Sequence, residues 1–201
     1  MECSQNSICI RGQLQSLPVF SHENHGHRFD RFVLEVARLS GTADLIPVIA
    51  PEELVDCLDP DGGDMIAVTG QIRSHNCRKE GKRKLLIFVF ASSVTADCGE
   101  SCNEVLLEGV LCREPVLRET PMGRKICDGM LAVPRAFHRA DYLPCIFWGT
   151  VAEEIALCHT RDRISLKGRF QSREYQKMTE SGRETRTAYE ISALSAEVLP
   201  D

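Results

Sequence analysis

The chain repeats itself, and that limits its architecture more than any other feature. Asn6 opens a strand-like run that reaches Gly12 and then Pro18, and Asn103 opens another that reaches Gly109 and then Pro115. The offset is 97 residues each time. At the same offset Gly26 answers Gly123, Arg38 answers Arg135, and residues 43–47 (ADLIP) answer residues 140–144 (ADYLP). Residues 64–72 then answer residues 162–170 at an offset of 98, which one inserted residue explains. A match held over most of 201 residues reads as two copies of one unit. Residues 95–102 are small and polar without periodicity, as a linker would be. The expected division is 1–97, a linker at 98–102, and 103–201.

Each copy reads as strands around one helix. In the second, residues 105–111 are rich in β-formers and interrupted by Gly109, residues 121–123 signal a turn, and residues 129–133 and 142–148 are two more strand candidates. Thr150 and Glu153 have the spacing of a capping box, and Val151, Ile155 and Cys158 fall on one helical face. Ile164, Leu166 and Phe170 then alternate with Lys167, Arg169 and Gln171, and a last strand covers residues 187–193. The first copy keeps this order, its helix opening at Pro51, Glu52 and Glu53. Three strands, a short helix and two strands is the order of an OB-fold. The expectation is therefore all-β: two tandem OB-fold five-stranded barrels, each with a short helix between strands 3 and 4. Another small β-barrel with one helix has the same order.

Bulk properties narrow the function classes. A net charge of −5 argues against a uniformly basic nucleic-acid coat, but local positive charge is what matters for such binding. The longest apolar run, residues 85–91, is far too short to span a bilayer, and residues 1–6 lack a basic start and apolar core. A cytoplasmic protein away from the membrane is expected. The 10 cysteines, with Cys9, Cys127 and Cys145 inside strand-like runs, read as reduced packing residues. Cys98 and Cys102 lack a second close pair, and His22, His25 and His27 lie far from them in sequence, so neither a metal nor another cofactor is expected. With no P-loop, no GxSxG and no carboxylate pair at a defined spacing, no enzyme is expected.

The candidate binding residues are aromatic and basic. Tyr142 and Trp148 lie on one strand at even spacing and share a face, while Leu143, Cys145 and Phe147 take the other. Exposed rings on a strand face suit base stacking. Trp148 packed beneath the helix start is the competing reading, as are plain surface roles for Tyr142 and Tyr175. Lys167, Arg169 and Arg173 share the outward face of the fourth strand, and Lys177, Arg183 and Arg186 continue into its hairpin. Arg118, Arg124 and Lys125 fall in the loop between the first two strands. In the first copy the same hairpin holds Arg73, Arg78, Lys79, Lys82, Arg83 and Lys84, opposed only by Glu80. Contact with phosphates is the expected role of both hairpins.

Residues 103–109 (NEVLLEG), 114–123 (EPVLRETPMG), 132–135 (AVPR), 145–153 (CIFWGTVAE) and 164–175 (ISLKGRFQSREY) together resemble the bacterial single-stranded-DNA-binding protein (SSB) family. Primosomal replication protein N (PriB) is a close relative of that family. The repeat extends the resemblance, more loosely, to residues 6–94. It implies an OB-fold that stacks bases near the start and end of the third strand and just after the fourth. Those places hold Tyr142, Trp148 and Tyr175 in the second copy, and Leu45, Pro51 and Cys77 in the first. The first copy is thus expected to have a degenerate binding face, with charge but no stacking. The chain stops at residues 197–201 straight after the last strand, which departs from the long acidic-tipped tail common in the family. The function implied is sequence-tolerant binding of single-stranded DNA in replication, recombination or repair, as a homodimer with four OB-folds in all. The alternative is a PriB-like assembly module that joins replication or primosome proteins and has weak DNA affinity.

Overall fold

The computed structural model describes residues 6–56, 58, 65–79, 82–179 and 182–200, without the side chains of 78, 79, 82, 83 and 179. The first copy comprises β1 (Asn6–Leu14), β2 (Val19–Asn24), β3 (His27–Ala37), β4 (Ala43–Pro51), α1 (Glu52–Val55), β5 (Met65–Lys79) and β6 (Lys82–Ala96). The second comprises β7 (Cys102–Leu111), β8 (Val116–Glu119), β9 (Lys125–Arg135), β10 (Arg139–Trp148), α2 (Gly149–Ile155), β11 (Arg163–Thr179) and β12 (Gly182–Leu199).

Each copy closes into a barrel of OB type. In the first, β1 pairs with both β3 and β5, β3 with β4, and β5 with β6. A short parallel pairing, Val48 with Val89 and Ile49 with Phe90, joins β4 to β6 and completes the ring. In the second, β10 and β12 do the same through residues 145–147 and 191–193. Alternation puts Ile10, Leu34, Ile46, Val68 and Ile72 inside one barrel and Leu111, Leu131, Leu143, Phe147 and Phe170 inside the other, all fully buried. Each such burial is worth ~1.5–3 kcal/mol. In the long hairpin of each copy the register slips at matching places, between Thr69 and Gly70 and between Lys167 and Gly168. A Cβ at Gly70 would lie 2.2 Å from the Phe90 carbonyl oxygen, and one at Gly168 2.4 Å from that of Ser192. Only glycine lets the strands approach so closely at this bulge.

Two local expectations change. The loop between the first two barrel strands is largely a hairpin: β2 lies on β3, and β8 on β9. Arg118 therefore sits on β8 and Lys125 opens β9, leaving Arg124 in the turn. All four β8 residues are exposed, so no apolar alternation marks the strand. The capping box is not formed either. The helix begins at Gly149 with Trp148 as N-cap and no side-chain cap, so Thr150 lies inside the first turn. Glu153 instead makes an ion pair with Lys125.

The copies merge into one twelve-stranded sheet through antiparallel pairing of β1 with β7. Ile8 lies opposite Val105, its own counterpart in the repeat, so a pseudo-two-fold axis passes through that pair. The polar ties obey the axis. Asn6 closes two hydrogen bonds with the Ile72 backbone (2.7 and 2.9 Å), and Asn103 does so with Phe170 (2.6 and 2.8 Å). Buried Asp44 accepts from the Ser172 amide at 2.7 Å, and buried Asp141 from the Ser74 amide at 2.6 Å. The long β5–β6 and β11–β12 hairpins are thus arms, each clasping the opposite barrel. The connecting residues are fastened by Arg11, which bonds Asp97 at 2.7 Å and the Glu100 carbonyl at 2.9 Å.

Candidate nucleic-acid interface

Trp148 ends β10 in extended conformation, with φ −124° and ψ 146°. The residue is 37% exposed, which does not fit the packed-core reading. The indole Nε1 donates to Ser192 Oγ at 3.0 Å, so one edge of the ring is pinned. Ile126, directly across on β9, is buried beside it. Arg169 lies opposite Ser192 on β11 and shares that outer face. A half-exposed ring with one fixed edge and a neighbouring cation can stack on a flat apolar group and attract an anion.

Tyr142 and Trp148 do share the outer face of β10, separated by about 20 Å of strand. Tyr142 is 43% exposed, and its backbone amide donates to Ser74 Oγ of the other copy at 2.8 Å. Tyr175 is equally accessible but projects from an arm. It lies just past Ser172, whose hydroxyl accepts from the Leu45 amide of the first copy at 3.1 Å. The arginine Cζ of Arg173 stands 5.9 Å from the Tyr175 ring centre, and Arg186 faces Tyr175 across the ladder. The three aromatics are therefore spread over a barrel and an arm anchored on the other barrel.

The basic residues divide by what already holds them. Arg73 bonds buried Asp141 at 3.2 Å, beside Arg135 at 3.4 Å, and so belongs to the junction between copies. Arg118 pairs with Asp128, Lys125 with Glu153, Arg186 with Glu184, and Arg173 with Glu190 at 3.7 Å. Among the described residues no ion pair engages Arg124, Lys167, Arg169, Lys177 or Arg183. The hydrogen bond from Arg186 holds the Glu184 carboxyl below the usual range, and Lys177 and Lys84 pull it the same way more weakly. Lys84 comes from the first copy, so its charge is felt at Glu184 on the arm of the second. The side chains of Arg78, Lys79, Lys82 and Arg83 lie outside the described residues.

Leu45, Pro51 and Cys77 stand in the first copy where the second has its aromatics, but rings gather there from other positions. His22 stacks on Phe29 with centroids 4.9 Å apart and planes 9° apart, and Phe29 meets Phe90 at 5.6 Å. The guanidinium of Arg28 stands 4.9 Å over Phe20. Comparing like positions of the repeat misses these residues, because they fill sites held by non-aromatic residues in the second copy.

The model of the single-strand binding protein family matches residues 102–199. Single-stranded DNA-binding protein B of Bacillus subtilis is 37% identical over 81 residues, 37% of this chain and 72% of that protein. The chain belongs to the single-strand binding protein family. Another member, the single-stranded DNA-binding protein of Bacillus cereus, is 36% identical over 81 residues, and there the chain spans 48% of the relative's length. The wild-type single-stranded DNA binding protein from Thermus aquaticus superposes with a TM-score of 0.78 at 23% identity, over 98% of this chain and 93% of that one. A deletion mutant of it gives 0.77 at 24%, over 100% and 97%. At that identity the likeness is one of fold: SSB-type OB barrels in tandem.

Proposed function

We propose that the chain binds single-stranded DNA with little regard for sequence. Bases stack on Trp148 and Tyr142, with Tyr175 adding a ring from the arm. Lys167 and Arg169 draw phosphates to the barrel face, and Arg124, Lys177 and Arg183 extend the path over the hairpins. Arg118, Lys125 and Arg186 join it by exchanging solvent-reached carboxylate partners for phosphates, a cheap exchange at a surface, whereas Arg173 stays beside buried Glu190. The observation that carries this reading is the half-exposed indole of Trp148, pinned by Ser192 beside Arg169. The names of the B. subtilis and B. cereus relatives point the same way. The setting is cytoplasmic DNA replication, recombination or repair, with no chemistry performed on the strand.

Trp148 is the only tryptophan, so its emission reports this face alone. Titration with oligo-dT should quench it. Affinity should fall with salt at a log–log slope of about −0.7 per phosphate contacted. Trp148→Ala should weaken binding by ~1–3 kcal/mol. Emission unmoved by oligo-dT at low salt would sink the proposal. A homodimer with four barrels fits the exposed Leu106 and Leu194 on the outer sheet, and sedimentation equilibrium should give twice the chain mass.

A further inference from the structure

We propose that the first copy carries a base-stacking site of its own, built on Phe29 with His22, Phe90 and Phe20. The inference rests on the single-strand reading above and extends it to a barrel that the repeat alone marks as degenerate. In the second copy the cross-strand pair at the end of β10 is Trp148 with Ile126. The matching pair in the first copy is Pro51 with Phe29. The ring has moved across the ladder, from one strand to its neighbour, and stays at the same corner of the barrel. Ser192, which holds the indole edge, is replaced by Phe90, whose ring lies against Phe29.

The cluster is built from the solvent side. Nothing in β2 is buried, so Phe20 and His22 contribute little to the core. Phe20 is 53% exposed. His22 already lies flat on Phe29 at the spacing and tilt of an offset stack, with its other face outward. Arg28 over Phe20 and exposed Arg31 on the same strand as Phe29 bring positive charge to the rings. The Arg28 ion pair with Glu52, at 3.1 Å between two exposed side chains, is readily exchanged for a phosphate. Rings edged by cations match the chemistry of a nucleotide strand: a flat base on His22 or Phe20, with its phosphates toward Arg28 and Arg31.

The test uses the full chain and an oligo-dT of about 30 nucleotides, enough for two OB-folds, with 5-iododeoxyuridine at scattered positions. Irradiation joins the halogenated base to an aromatic ring against which it stacks, and mass spectrometry locates the adduct. Adducts at Phe20, His22, Phe29 or Phe90, alongside those at Trp148, are expected. Adducts confined to residues 103–199 overturn this inference and leave the proposed function standing. Adducts nowhere, with no change in Trp148 emission, overturn both. Affinity supplies a second measure. In a Trp148→Ala background, Phe20→Ala with His22→Ala should weaken the remaining oligo-dT binding about tenfold, and unchanged binding overturns the site.

Discussion

At the scale of single residues, the most instructive side chains are Asn6 and Asn103. Each satisfies a backbone N–H and a backbone C=O of the fourth barrel strand, deep in its copy. Asn103→Ala leaves both groups at Phe170 unpaired and should cost about 2–4 kcal/mol in a urea titration. Asn103→Asp should not rescue it, because the carboxylate cannot donate to the Phe170 carbonyl. The cysteines offer a second check. Burial pushes the Cys127 thiol up to about 11 and Cys145 higher still, whereas Cys98 and Cys112 are exposed. At mildly alkaline pH an alkylating reagent should modify Cys98 and Cys112 in the folded chain and reach Cys127 and Cys145 only after denaturation, as mass spectrometry would show. Both asparagines were visible in the sequence as marks of the repeat. Their task was not, because it needs a partner strand more than sixty residues away.

At the scale of elements, strands with one wet and one dry face were legible, and β8 was not, since both of its faces are wet. Thr150 and Glu153 had the right spacing for a cap but lost to the strand geometry that carries β10 through Trp148. The arms explain why Arg73 stands apart from the other basic residues of its hairpin. From sequence it is one of six basic residues in a hairpin; in the fold it faces a buried carboxylate of the other copy. Asp141→Ala leaves the Ser74 amide and two guanidinium groups without that carboxylate and should destabilise the chain by ~3 kcal/mol in denaturant. The connecting segment should respond to acid. The Gly99 amide and the Arg11 side chain hold the Asp97 carboxyl below its ordinary value. A depressed carboxyl stabilises the fold above the unfolded value, near pH 4, and that support is lost as pH falls through the lower folded value. Thermal melts from about pH 5 to 2 should show a shallower acid loss in Asp97→Asn than in the parent chain.

At the scale of the whole molecule, the repeat announced two barrels but was silent on how they meet. The matched ADLIP and ADYLP segments read as signs of common descent, yet Asp44 and Asp141 within them are the junction itself. The candidate site was half legible. Trp148 and Tyr142 could be found by face and resemblance, whereas the rings on β2, β3 and β6 could not, because they share neither position nor strand with their counterparts. The axis through Ile8 and Val105 has one more consequence. A nucleic-acid strand has a direction, and rotation by half a turn reverses any course laid across the axis. Two identical barrels around this axis would ask one strand to run 5′ to 3′ across the first and 3′ to 5′ across the second, so it would have to double back. In a single chain with two copies each barrel is free to change alone. The ring that crossed from β10 in one copy to β3 in the other is a difference that two products of one shorter gene could never have.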